Sequence, residues 1–165
     1  MKRIISILME NESGALSRVV GLFSQRGYNI DTLTVAPTDD DTFSRLTLTT
    51  NGDDQMAEQI VKQLHKLIDT IKVVDLTEGP HIERELMLVK IKVSDTDSRT
   101  ELKNCVEIFR GSIIDVTPAT YTVQLAGDSE KLDAFIEAVS QIGIMEVSRS
   151  GVTGISRGDK FIRVN

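Results

Sequence analysis

The chain is poor in the residues that mark several functional classes. It has two histidines, no tryptophan and one cysteine, Cys105. That set offers no metal-ligand spacing, and a single cysteine cannot form an internal disulfide, so we expect a reducing, cytoplasmic location. No apolar run approaches the roughly 18–20 residues of a membrane span. The short apolar run after Met1-Lys2-Arg3 leads straight into a turn, and we interpret it as a strand rather than a signal peptide.

Acidic residues outnumber basic ones, and aromatic side chains are scarce. The formal net charge is −6, with five phenylalanines and two tyrosines in 165 residues. Nucleic-acid binding needs a basic face, and RNA-binding sheets add aromatic side chains on which bases stack. Phe43 is the only aromatic residue in its predicted strand. We therefore expect no nucleic-acid partner and no membrane partner.

Nucleotide-binding signatures are missing as well. The sequence contains no P-loop and no dinucleotide-binding fingerprint. His65 is interpreted as a surface residue of a helix, and Cys105 as a small core side chain on an apolar helical stripe. We predict no catalytic residue and no metal site. A small enzyme on the same scaffold remains an alternative, and an activity assay on the lone chain would test it.

What the chain does have is an internal repeat of about 80 residues. Its first half reads β-α-β-β-α-β, and its second half repeats that order. The predicted strands are 3–9, 30–36, 43–50 and 71–76, then 86–93, 112–116, 121–125 and 144–148. Helices are predicted over 15–26, after the cap Asp53, after the capping box Ser98–Glu101 and after Gly127-Asp128-Ser129.

This pattern predicts an α+β protein made of two tandem ferredoxin-like βαββαβ sandwiches. Gly79-Pro80 punctuates the chain between them. We expect one domain over residues 1–78 and a second over residues 82–165.

The first strand-to-helix turn, Asn11-Glu12-Ser13-Gly14, is the most informative stretch. Asn11 and Ser13 are good N-cap residues, and Gly14 permits a sharp bend and a close approach of a ligand. The first amides of a helix lack partners and carry partial positive charge, so a small carboxylate would fit here. An ordinary strand-to-helix turn is the alternative. The matching turn of the second half, 94–98, has no glycine and two acids, so we expect any sensing site in the first half.

Two further stretches suggest interactions. The predicted second strand, 30–36, would lie at the edge of its sheet, and its run Thr32–Val35 is regular and uncharged, so another strand can pair with it. A two-fold dimer through this edge is expected. The C-terminal run 149–163 is basic in an acidic protein, and it could be either a partner contact or a solvated tail.

The turn and the residues after it resemble the signature of an ACT domain, the small amino-acid-sensing module. The run Asn11–Asp40 is similar to the small regulatory subunits of acetolactate synthase, and the similarity continues through 63–67, 109–111, 114–117, 121–127, 149–151 and 156–160. This resemblance covers nearly the whole chain.

The resemblance implies a non-catalytic subunit that activates a large, thiamine-diphosphate-dependent catalytic subunit and confers feedback inhibition by valine. Thiamine diphosphate, Mg and FAD would then belong to that partner, and this chain would carry no cofactor. It also implies a homodimer through the ACT edge strand with valine bound at the seam. The implied ligand-binding residues are Asn11, Ser13, Gly14, Ala15 and Leu16 in the turn, and Asn29, Ile30 and Ala36 around strand two. A stand-alone ACT-type sensor of another enzyme or transcription factor is the alternative.

Overall fold

The structure, a computed structural model, describes residues 1–163. It divides the chain into two units. Among the described residues, the first contains Met1–Glu83 together with 151–163, and the second is Arg84–Ser150. Our expected second domain, 82–165, therefore differs from the second unit at its C-terminal end, because the last stretch packs on the first unit.

The predicted order of helices and strands is observed, with one added strand. The strands are β1 (Lys2–Glu10), β2 (Thr32–Pro37), β3 (Phe43–Asn51), β4 (Thr70–Asp75), β5 (His81–Lys92), β6 (Ser112–Val116), β7 (Thr120–Gly127), β8 (Ile144–Arg149) and β9 (Thr153–Ser156). The helices are α1 (Ala15–Gln25), α2 (Asp54–His65), α3 (Thr96–Ile108) and α4 (Ser129–Val139), with a 3-10 turn at Leu76–Glu78. Within residues 1–163 no helix has both the length and the apolar character needed to cross a membrane.

In the first unit, an antiparallel sheet of order β2-β3-β1-β4 packs one face against α1 and α2. Strand residues alternate between the two faces. Ile5 and Ile7 of β1 therefore join the helical residues Val19 and Phe23 in the main core. The same alternation turns Ile4, Ser6 and Leu8 toward the other side, which we call the open face.

The open face is partly covered by the C-terminal stretch of the chain. Val152 is buried against Ile4 and Leu76, and β9 pairs with β5. Thus the segment 151–156 is an ordered part of the first unit. The solvated-tail alternative for the run 149–163 therefore does not hold for 151–156, and the partner-contact alternative stays a prediction.

The second unit repeats the first with the sheet order β6-β7-β5-β8. Its core joins Met87, Val89 and Ile91 of β5 to Leu102 of α3 and Phe135 of α4. The confirmed fold class is thus α+β, with two βαββαβ repeats.

One predicted capping box was placed too late in the sequence. Helix α3 starts at Thr96, and Asp95 caps it by accepting from the Ser98 amide at 2.7 Å. The Ser98 hydroxyl in turn accepts from the Asp95 amide at 3.3 Å. The observed capping box is therefore Asp95–Ser98, three residues before the Ser98–Glu101 box that we predicted.

Candidate binding site at the first strand-to-helix turn

Gly14 is the N-cap residue of α1, and its backbone is left-handed, with φ 86° and ψ −10°. For residues other than glycine, this conformation costs roughly 1–2 kcal/mol. No side chain caps the helix, so our prediction that Asn11 or Ser13 caps α1 was wrong. Asn11 makes other contacts. Its backbone amide donates to the Thr42 carbonyl at 2.8 Å, and its side-chain Nδ2 donates to the Asp41 carbonyl at 2.9 Å.

The missing cap leaves two amides of α1 exposed to solvent. Ala15 is buried, and its amide donates to the Glu12 carbonyl at 3.3 Å. The amides of Leu16 and Ser17 have no acceptor among residues 1–163, and both residues are exposed. Two adjacent free amides at a helix N-terminus are a suitable site for the two oxygens of a carboxylate. Ser17 was not among our predicted site residues, although its place in the first helical turn indicates it.

Arg18 lies directly over the turn. Its Nε donates to Asp69 Oδ2 at 2.5 Å, and an ideal Cβ built on Gly14 would stand 2.9 Å from its Nη1. The Asp69 side chain is buried, and the hydrogen bond from Arg18 lowers the pKa of that carboxyl. We did not predict Arg18, but its position four residues after Gly14 places it one helical turn along the same face.

Three carboxylates cluster beside this arginine. One carboxylate oxygen from each of Glu10, Glu12 and Asp69 lies within 4.8 Å of the other two. With one guanidinium among three acids, the formal charge near the turn is negative. A ligand with only a carboxylate would be repelled by this cluster, whereas the ammonium group of a free amino acid would be attracted to it.

The remaining predicted site residues do not join this turn within one chain. The Asn29 carbonyl accepts from the Thr50 hydroxyl at 2.6 Å, and β3 pairs Thr50 with Arg3 at the start of β1. Gly14 follows the other end of β1, so Asn29 lies about 25 Å away along the sheet. Ile30 packs against the main core at that distant end.

Ala36 lies at the Gly14 end of the sheet but faces a different surface. It pairs with Arg45 of β3 and lines a pocket of about 360 Å³ on the open face. The structure thus brings together residues 11–16 of the predicted site, and it separates them from Asn29, Ile30 and Ala36.

Strand β2 is the outermost strand of its sheet among the described residues, as predicted. The Thr38 amide donates to the Phe43 carbonyl at 3.0 Å, which marks an inward-facing pair of the β2–β3 ladder. Inward and outward amides alternate along an antiparallel edge. The amides of Leu33 and Val35 therefore point away from β3, toward any strand that pairs with this edge.

Comparisons with known proteins match both units. Residues 5–72 match the family model of the AHAS small subunit-like ACT domain, and residues 84–158 match that of the small subunit of acetolactate synthase. The chain is 63% identical to the acetolactate synthase isozyme 3 small subunits of Salmonella typhimurium and of Escherichia coli. In each case the match spans 164 residues, 99% of this chain and 100% of the relative.

A solved structure agrees with these matches. The crystal structure of the acetolactate synthase small subunit from Thermotoga maritima superposes with a TM-score of 0.87 at 34% identity, over 97% of this chain and 99% of that one. The two-repeat architecture is therefore shared with a relative of experimentally determined structure.

Proposed function

The chain belongs to the family of acetolactate synthase small subunits, and we propose that it is a non-catalytic subunit that activates the large catalytic subunit and makes it sensitive to valine. The observation that carries the regulatory part is the turn at Gly14. It combines two exposed amides for a carboxylate with an acidic cluster for an ammonium group. These are the two charged ends of a free amino acid.

In this proposal valine binds with its carboxylate on the amides of Leu16 and Ser17. The left-handed Gly14 allows the ligand to approach the backbone closely, because it has no Cβ. Arg18, held over the turn by Asp69, adds a cation near the carboxylate. The surplus of acids then favours the amino acid over its 2-oxo acid, which lacks the ammonium group.

A homodimer would complete the site. Strand β2 runs from the Asn29 end of the sheet to the Gly14 end, since Thr32 pairs with Thr49 and Pro37 with Ser44. Two-fold antiparallel pairing of β2 with a second copy would bring the partner's start of β2 to the Gly14 end. Asn29 and Ile30 of one copy would then approach the turn of the other, which supports valine binding at the seam.

The catalytic chemistry belongs to the large subunit in this proposal. Thiamine diphosphate, Mg and FAD would be held there, and this chain would act in the cytoplasm by binding the partner and the effector. The match of residues 84–158 to the small-subunit family favours this role over a stand-alone ACT-type sensor, which would not need that second unit.

Reconstitution with the cognate large subunit tests the proposal. The lone chain should show no acetolactate synthase activity, and adding it to the large subunit should raise turnover and introduce inhibition by valine. Turnover and valine response that are unchanged by this chain would refute the regulatory role. A stand-alone sensor would instead bind valine and fail to co-purify with the large subunit.

A further inference from the structure

Arg45 on the open face of the first unit has no acidic partner among residues 1–163. It lies in β3, in register with Leu8 of β1 and Ala36 of β2. Its Nη2 donates to the Gly154 carbonyl at 2.8 Å, and its Nε is buried with no hydrogen-bond partner. Burial lowers the pKa of Arg45, and no neighbouring carboxylate opposes that effect. Arg45 as a whole is half-buried, and a guanidinium that is partly removed from water without a counter-charge is a suitable partner for an anion.

The guanidinium opens onto space that an anion could occupy. Arg45 lines the pocket of about 360 Å³ beneath the C-terminal segment, together with the hydroxyl-bearing residues Thr34, Thr47 and Thr153. Hydroxyl groups donate readily to carboxylate oxygens. Leu8 and Ile162 add apolar surface to the same pocket, so one wall can bind an anion while another packs against an aliphatic group.

A neighbouring row of the sheet shows a second unsatisfied group. The Ser6 hydroxyl is fully buried without a partner, and Ser6 stands in register with Thr47. Unpaired buried polar atoms are uncommon in folded proteins. Arg45 and Ser6 thus place two such atoms on one face of the sheet, and of these two residues Arg45 lines the pocket.

We propose that this pocket is a second binding site for a free aliphatic amino acid, with the ligand carboxylate on Arg45. Asp39 lines the pocket as well and provides an acid for the ligand ammonium group. This proposal rests on the proposed function for the identity of the effector class. It differs in location, because Arg45 faces the side of the sheet opposite the α1 and α2 helices.

The position of the pocket suggests what its occupancy would do. Arg45 binds the Gly154 carbonyl, and an ideal Cβ on Gly151 would stand 2.8 Å from the Thr34 Oγ1 atom of β2. The pocket thus lies between the C-terminal segment and the edge strand. A ligand there would contact both the C-terminal segment and β2, and it would favour pairing of β2 with a second copy of the chain.

Calorimetric titration of the full chain with valine, leucine and isoleucine tests the proposal. We compare wild type, Gly14→Asp, Arg45→Met and the double variant. For at least one amino acid we expect two equivalents per wild-type chain, one for each single variant and none for the double variant. Lys72→Met is the matched control, because it removes an exposed cation from the same sheet face outside the pocket.

Further variants separate ligand binding from folding, since Arg45→Met also removes the contact to Gly154. Thr47→Val keeps the shape of the pocket and that contact, and it should weaken the second equivalent about threefold to tenfold. The pocket should bind the amino acid about tenfold more tightly than the analogue that lacks the ammonium group. For valine this analogue is 3-methylbutanoate. Asp39→Asn should abolish the preference.

The outcomes distinguish this proposal from the proposed function. If Arg45→Met binds every amino acid with wild-type stoichiometry and affinity, the pocket is not a ligand site, and the role of the Gly14 turn is unaffected. If Arg45→Met abolishes all binding and Gly14→Asp changes nothing, the pocket stands and the Gly14 turn is not the effector site.

Discussion

Arg18 Nε and Asp69 Oδ2 lie 2.5 Å apart, joining the first turn of α1 to the loop before β4. The Asp69 backbone carbonyl also accepts from the Glu10 amide at 2.8 Å, so one residue holds both sides of the Gly14 turn. These contacts hold the turn that carries the free amides of α1 in one conformation. Because the turn is already ordered, binding of a small ligand does not have to offset the entropy cost of ordering it.

Asp69→Asn should make the protein less sensitive to acid. The hydrogen bond from Arg18 lowers the pKa of Asp69 in the folded state. The stabilisation is then fully present above the unfolded pKa of about 3.9 and is lost as pH falls through the lower folded value. Urea unfolding between pH 7 and pH 2 should show reduced stability of the variant at pH 7 and a flatter decline below pH 4. Glu101→Gln, which removes an exposed carboxylate of α3, is the control, and identical pH profiles for Asp69→Asn and wild type would contradict the prediction.

Arg149→Met should destabilise the second unit. Arg149 donates to Glu85 through Nε and Nη2, each at 3.0 Å, and to Asp133 at 2.6 Å. The Glu85 side chain is only 2% exposed, so the variant leaves a buried carboxylate without its cation. Such a loss costs about 3–5 kcal/mol when both partners are buried, and we expect about 2–3 kcal/mol because Arg149 is partly exposed.

Native-state hydrogen exchange can check the size and location of this effect. Protection of the β5 and β8 amides in the second unit should fall, while protection of β1 and β3 in the first unit stays unchanged. The double variant Glu85→Gln/Arg149→Met removes the unpaired charge and should recover part of the loss. Unchanged protection in Arg149→Met would mean that the ion pairs add nothing to stability.

The sequence predicted the fold because hydrophobic alternation and helical periodicity are local signals. Strand β1 and helix α1 therefore appear within a residue or two of their predicted bounds. Strand β9 was missed, because this short segment pairs with β5 and follows Val152, which packs against the distant residues Ile4 and Leu76. Periodicity in the sequence cannot report contacts of that range.

The local geometry of the candidate turn, but not its long-range contacts, could be predicted for the same reason, and its role as a ligand site stays a prediction. The left-handed Gly14 and the free amides after it follow from local turn chemistry. Arg18 depends on Asp69, which is 51 residues away, and Arg45 depends on Gly154, which is 109 residues away. Partners at those separations are set by the topology of the sheet and not by neighbouring residues.

Gly14→Asp should abolish the response to valine while leaving a folded subunit that still activates its partner. The left-handed backbone costs the variant roughly 1–2 kcal/mol of stability. Two like charges about 4 Å apart cost roughly 4 kcal/mol at an effective dielectric of 20. Arg18 would offset part of that repulsion, so we expect valine affinity to fall at least tenfold. Activation and valine inhibition are measured together on the reconstituted enzyme.

Gly14→Ala separates backbone strain from charge in that experiment. Alanine carries the same conformational cost and brings its Cβ close to Arg18, but it adds no carboxylate. Valine sensitivity should fall less in Gly14→Ala than in Gly14→Asp. Inhibition of the Gly14→Asp enzyme at the wild-type midpoint would place the effector elsewhere.

Val35→Pro tests pairing of β2 with a second copy. The Val35 amide points away from β3, so proline at this position leaves the β2–β3 ladder intact and removes a donor from the outer edge. Thr34 belongs to the inward-facing set opposite Thr47, so Thr34→Pro would damage the unit itself and is the contrasting variant. Sedimentation should show a dimer for wild type and a folded monomer for Val35→Pro. Because the seam would supply Asn29 and Ile30 from the second copy, valine affinity should fall together with dimerisation. If the Val35→Pro chain remains dimeric and binds valine normally, the dimer does not form through this edge.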